Sequence, residues 1–121
     1  MKVMLVDDSK TMRTIQRNIL MQLGFKEIEE ACDGQDALSK VSAFAPELLL
    51  VDWNMPNMDG ITFVREMKNN PAYKYVPVIM LTTEGSAEKK KAGQDAGAKA
   101  WVVKPFQPAQ MLAAVSKLLM M

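Results

Sequence analysis

The sequence predicts an α/β sandwich: a five-stranded parallel sheet covered on both faces by five helices. Three observations carry that prediction. Short apolar runs alternate with longer segments of helical period along the whole chain. Four of the five runs are almost continuously apolar, as strands buried on both faces must be. The 121 residues also make one domain of ordinary size, 1–121, large enough to bury a core without staples.

The elements follow in order. The first strand is expected at Lys2–Val6. In the first helix Met12, Ile15, Ile19 and Leu23 recur at steps of three and four, with Leu20 widening the stripe. Ser9 suits its N-cap region and Gly24 its C-terminal stop. The run Glu27–Ala31 alternates in polarity, which suits an edge strand. Ala37, Leu38 and Val41 mark a second helix that ends before Pro46. Residues 48–51 are the third strand, and Ile61, Val64 and Met67 mark the third helix. Residues 78–81 are the fourth strand. The fourth helix, about 86–96, is weakly encoded, because Lys89, Lys90 and Lys91 are consecutive and Gly93 sits inside it. The fifth strand is 101–103. The fifth helix begins near Pro108, a good first-turn residue, and carries Met111, Leu112, Val115 and Leu119. Right-handed crossovers leave few topologies for such a chain. The flavodoxin-like order 2-1-3-4-5 is one of them, and it places a ligand crevice beyond the C-terminal ends of strands 1 and 3.

Composition excludes several functions. A net charge of +1 gives no footprint for nucleic acid or for a polybasic membrane patch. The N-terminal apolar run is too short, and too soon charged, for a signal peptide or a membrane span. One cysteine, Cys32, permits no internal disulfide and fits a cytoplasmic location. The absence of histidine rules out catalysis by imidazole.

The polar residues fall where the topology puts a site. Asp7 and Asp8 follow strand 1, Asp52 ends strand 3, Thr82 and Thr83 follow strand 4, and Lys104 follows strand 5. Three carboxylates in one crevice repel one another unless a cation joins them. One lysine does not balance three negative charges. A hard divalent ion does, and carboxylate and carbonyl oxygens are the ligands Mg²⁺ takes. Such a centre suits phosphoryl transfer, where the protein positions groups and neutralises charge. A carboxylate can itself be the nucleophile, giving an acyl phosphate, with a threonine hydroxyl and a lysine ammonium as partners for the phosphoryl oxygens.

Four strings, "VDDS" at 6–9, "DWNMPNMDG" at 52–60, "LTTE" at 81–84 and "VVKPF" at 102–106, carry a family resemblance. In that order and spacing the chain resembles the response-regulator receiver domains of two-component signalling over essentially its full length. Within that family it is most similar to the stand-alone, CheY-like chemotaxis regulators. The resemblance implies that Asp52 is the phosphoacceptor. It implies that Asp8, Asp52 and the backbone carbonyl of Asn54 bind Mg²⁺ directly, and that Asp7 helps through water. Thr82 would hydrogen-bond to the phosphoryl group and Lys104 would pair with it. Asn54 and Glu84 fall where side chains tune hydrolysis and meet phosphatases. The phosphodonor would be a histidine kinase, and an output protein, such as a flagellar motor switch, would read the face made by helix 4, strand 5 and helix 5.

Three positions depart from the family pattern. The switch aromatic falls at Trp101, which is larger than the usual Tyr or Phe and has no hydroxyl; it is expected to couple to Thr82 with altered energetics. Thr83 is bulkier than the common alanine. Lys90 stands where enteric chemotaxis regulators present an apolar contact. Other residues have plainer readings: Trp53 flanks the site as a partly buried aromatic, Met55 and Met58 pack, and Cys32 is inert.

The expected function is therefore a phosphoswitch rather than an enzyme, with protein–protein output, since no DNA-binding segment is expected after the fifth helix. A phosphorelay shuttle or phosphate sink uses the same chemistry without an output partner. An aspartyl-phosphate phosphatase is the enzymatic alternative, but it usually carries a second catalytic Asp two residues after the nucleophile, where this chain has Asn54. A flavodoxin-like electron carrier is weaker still, because the acidic crevice would repel a flavin phosphate.

Overall fold

The computed structural model describes residues 2–53, 55, 58–82, 87–103 and 108–119. The elements are β1 (Lys2–Val6), α1 (Lys10–Gln22), β2 (Glu27–Ala31), α2 (Gly34–Phe44), β3 (Leu48–Asp52), α3 (Gly60–Lys68), β4 (Val78–Thr82), α4 (Ala87–Ala96), β5 (Ala100–Val103) and α5 (Pro108–Leu119). The five strands form one parallel sheet in the order β2-β1-β3-β4-β5, as the alternating pattern predicts.

β3 and β4 are buried at every position and β1 at all but Lys2, and their side chains alternate between two cores. Met4, Val6, Leu49, Val51, Val78 and Met80 face one core, closed by α2, α3 and α4 through residues such as Val41, Phe63, Val64 and Ala96. Val3, Leu5, Leu48, Leu50, Ile79 and Leu81 face the other, closed by α1 and α5 through Ile19, Leu20, Met111 and Val115. Continuous apolar runs are the sequence mark of strands that must satisfy both faces.

Local chemistry sets the helix ends. The Ser9 hydroxyl caps α1 by accepting from the Met12 N–H at 3.2 Å. Asp33 caps α2 through the Asp36 N–H, and Asp59 caps α3 through the Thr62 N–H, each at 2.8 Å. These side chains satisfy N–H groups that the helix itself leaves unpaired. Past the end of α1 the chain turns through Gly24 at φ +96°, a conformation glycine adopts without strain. At the end of α2 the same left-handed turn falls on Ala45, at φ 53°. Lys68, at the end of α3, donates from Nζ to the carbonyls of Lys74 and Val76 and so ties the connection into β4. Burial, and then the nearby Lys99, push its ammonium pKa down.

One expectation needs correction. The apolar stripe of α1 does not run through Ile15, which is 44% exposed. The inward face passes instead through Gln16, Ile19 and Leu20. Gln16 lies four residues from Met12 and three from Ile19, so it occupies a core position that a reading by hydrophobicity hands to its neighbour. A 3₁₀ turn at Pro71–Tyr73, capped by the Asn70 side chain, was also not anticipated. Among the described residues no helix is long and apolar enough to cross a membrane.

Candidate functional site

Strand registers bring the predicted carboxylates together. Val6 of β1 lies level with Val51 of β3, and Asp52 lies level with Leu81 of β4. Asp7 and Asp8 therefore leave β1 beside the end of β3, and Thr82 ends β4 one residue further on. Oxygens of Asp7, Asp8 and Asp52 all lie within 4.8 Å of one another. Asp7 and Asp52 are buried, at 1% and 6% exposure, whereas Asp8 is open to solvent. Thr82 is wholly buried.

The surroundings fix these groups. The Asp7 N–H donates to the Ala31 carbonyl at 3.1 Å, which prolongs the β1–β2 ladder by one residue. One Asp7 carboxylate oxygen accepts from the Ser9 N–H at 2.9 Å, and the other from the Gln16 amide at 3.3 Å. The Asp7 carbonyl accepts from Arg13 Nη1 at 2.6 Å. Arg13 is held in turn by Glu30 of β2 at 3.0 Å, and Glu30 also takes Arg17 at 2.8 Å. Burial pushes the Glu30 carboxyl pKa upward, but hydrogen bonds and charge from Arg17 and Arg13 outweigh it and hold it below its ordinary value.

On the β3 side, the Trp53 N–H donates to the Leu81 carbonyl at 2.9 Å, so the ladder continues past Asp52. The Gly60 N–H then returns to the Trp53 carbonyl at 3.0 Å. Trp53, Met55 and Met58 are partly buried against the α2–α3–α4 core, as expected for packing residues. Met58 also touches Gly34, where any Cβ would stand 2.8 Å from its Cγ. The β2–α2 and β3–α3 connections are thereby packed together beside the cluster.

The donor set suits a hard cation. Among the described residues it offers three carboxylates, two of them buried and one open to water, which Mg²⁺ usually retains in part. Asn54, Thr83, Glu84 and Lys104 lie outside the described residues. So does the side chain of Trp101, whose backbone pairs with Met80 in β5. Sequence reasoning missed Gln16, Arg13 and Glu30. A polar residue at an inward step of α1 was the available signal for Gln16. Arg13 and Arg17, one turn apart opposite an acidic edge strand, were the signal for the ion pair.

A second feature lies away from the carboxylates. A groove of about 600 Å³ runs between α4, β5 and α5, lined among others by Lys90, Lys99, Val102, Val103 and Ala114. Val103 is 40% exposed there.

A doubly wound sheet with an acidic cluster at the ends of β1 and β3 is the architecture of a receiver domain. The family model for the response regulator receiver domain matches residues 3–116, and the chain belongs to that family. It is similar to the chemotaxis protein CheY1 of Helicobacter pylori, with 41% identity over 109 residues, 89% of this chain and 88% of that one. Chemotaxis protein CheY-3 of Vibrio cholerae is 36% identical over 118 residues, 98% of this chain and 91% of that one. The solved structure of the chemotaxis response regulator CheY4 of Vibrio cholerae matches with a TM-score of 0.91 and 40% identity over 97% of each chain. Receiver domains act in two-component signalling and bind Mg²⁺ in an acidic pocket, and CheY-like receivers are switches rather than classical enzymes.

Proposed function

We propose that this chain is a single receiver domain, 1–121, acting as a cytoplasmic phosphoswitch that accepts a phosphoryl group on Asp52. The observation that carries the reading is the carboxylate cluster, with Asp52 buried at the end of a central strand within 4.8 Å of Asp7 and Asp8. A Mg²⁺ ion held by Asp7, Asp8, Asp52 and the Asn54 carbonyl would neutralise charge on the transferring group.

The chain's own residues do the rest. An Asp52 carboxylate oxygen attacks phosphorus, the bond from phosphorus to the donor histidine nitrogen breaks, and an acyl phosphate remains. Burial keeps Asp52 fixed, while exposed Asp8 leaves a side open to the donor. Thr82 hydrogen-bonds to the phosphoryl group and Lys104 pairs with its charge. Trp101 follows Thr82 between two states, and Asn54 and Glu84 tune hydrolysis and phosphatase access. The donor is a histidine kinase.

The α4–β5–α5 groove favours an output partner over a pure phosphate sink, because a sink needs no surface beyond the phosphoryl site. Its similarity to chemotaxis proteins points to motor control.

Intact mass after incubation with acetyl phosphate tests the chemistry. A single phosphoryl adduct is expected with Mg²⁺, none with excess chelator, and none in Asp52→Asn. If neither acetyl phosphate nor a phosphorylated histidine kinase gives an adduct, the reading fails.

A further inference from the structure

We propose that Gln16 is a positioning residue for the acidic site, its side-chain amide holding Asp7 in the orientation that receives a divalent cation. The inference rests on the reading of Asp7, Asp8 and Asp52 as a Mg²⁺ site.

Gln16 is fully buried, on the face of α1 otherwise built from Ile19 and Leu20. Its Nε2 donates to Asp7 Oδ2 at 3.3 Å. The Ser9 N–H occupies Oδ1 at 2.9 Å. These two donors, one from each side, set the plane of the Asp7 carboxylate. A carboxylate oxygen accepts at more than one lone pair, so an oxygen held by an N–H can also face Asp8 and Asp52. That orientation matters because Mg²⁺ tolerates little departure from octahedral geometry.

The other end of the side chain shows what the amide costs. Gln16 Oε1 is buried and has no hydrogen-bond partner among the described residues. A carbonyl left so is destabilising, and an apolar side chain of the same shape avoids the penalty. Turning the amide over gives no relief, since it would set Oε1 against a carboxylate oxygen. Packing alone would therefore be better served by methionine or leucine. What glutamine adds is the N–H on Asp7. A neutral donor also fixes the carboxylate without cancelling its charge, whereas a lysine there would compete with the cation.

The test uses the full chain with Gln16→Met and Gln16→Leu, each alone and combined with Asp7→Asn. Mg²⁺ affinity is measured by calorimetric titration, and the thermal midpoint in excess chelator. Loss of a residue that orients a metal ligand typically weakens affinity about tenfold or more, and that is the expected change for Gln16→Met. Its midpoint in chelator should equal or exceed that of the wild type. In the Asp7→Asn background the same substitution should change Mg²⁺ affinity by less than about twofold, since the two act as one unit. Unchanged affinity in the single variants would overturn the proposal. So would equal weakening in both backgrounds with a lowered midpoint, or failure of both variants to fold, either of which makes Gln16 a packing residue only. A wild-type chain that binds no Mg²⁺ would overturn the metal reading itself, and this inference with it.

Discussion

Gly60 and Asp52 are packed so closely that a methyl group on Gly60 would overlap the backbone carbonyl oxygen of Asp52. The connection that leaves β3 at Asp52 thus returns onto its own first residue. The start of α3 is tied to the strand end that carries the carboxylate.

Gly60→Ala should therefore disturb the site as well as the fold. The expected loss of stability is about 1–3 kcal/mol, the usual range for forcing an extra carbon into a packed place. Mg²⁺ affinity should fall too. Gly24→Ala is the comparison: nothing lies within 4 Å of its Cβ, but its φ is +96°. It should lose about 1–2 kcal/mol from backbone strain alone and keep wild-type Mg²⁺ binding. Urea titration in chelator and Mg²⁺ titration separate the two. Equal Mg²⁺ affinities would show that the close approach does not position Asp52.

Cation binding should also be visible as stability. Mg²⁺ at about 100 times its dissociation constant should raise unfolding free energy by about 2.7 kcal/mol, if it binds only the folded chain. Asp52→Asn should shrink that increment at the same Mg²⁺ concentration, because a carboxylate of the cluster is lost. Thermal midpoints across a Mg²⁺ series give the answer, and an undiminished increment in the variant would place the ion elsewhere.

Ala45 ends α2 in the left-handed region without being glycine. Ala45→Gly should remove that strain and stabilise the chain by roughly 0.5–1 kcal/mol, after the extra freedom glycine gives the unfolded chain is counted. Chemical denaturation measures it. A loss of stability would mean that the alanine methyl makes contacts worth more than the strain.

Acid should act through Glu30. Its folded-state pKa is depressed, so its contribution is present above the unfolded value and lost as pH falls through the folded one. The window opens below about pH 4.3. Glu30→Gln should be less stable than wild type at neutral pH and should lose less on going to pH 3. Because Glu30 steadies Arg13, which holds the Asp7 carbonyl, the variant also reports whether the β2 edge supports the site. Parallel pH profiles for the two proteins would remove Glu30 from the account.

The sheet was legible in the sequence because its central strands are buried on both sides. A run such as 48–51 has no polar face to confuse the reading, and its observed span differs by one residue, Asp52. The helix caps at Ser9 and near Gly24 were legible for the same reason: their chemistry is local. The carboxylate cluster was legible through topology, which decides where strand ends meet. Gln16 was not. Its burial follows from the rotational setting of α1 on the sheet, and hydrophobicity pointed to Ile15, one residue away and exposed. Arg13 and Glu30 were hidden because their pairing joins a helix to a strand and is not periodic in either. The turn at Pro71–Tyr73, capped by the Asn70 side chain and closed by the Tyr73 N–H on the Asn70 carbonyl, is too short to carry a hydrophobic period.

The sheet has a further consequence as a partition. Among the described residues the two cores share none, and β1, β3 and β4 hand alternate side chains to one or the other. Truncations on opposite sides, such as Val64→Ala and Val115→Ala, fall in different cores, so their costs should sum, as they do for independent sites. The two faces can be rebuilt separately over generations of mutation. The wall between them, with its acidic rim, is what each rebuilding must leave standing.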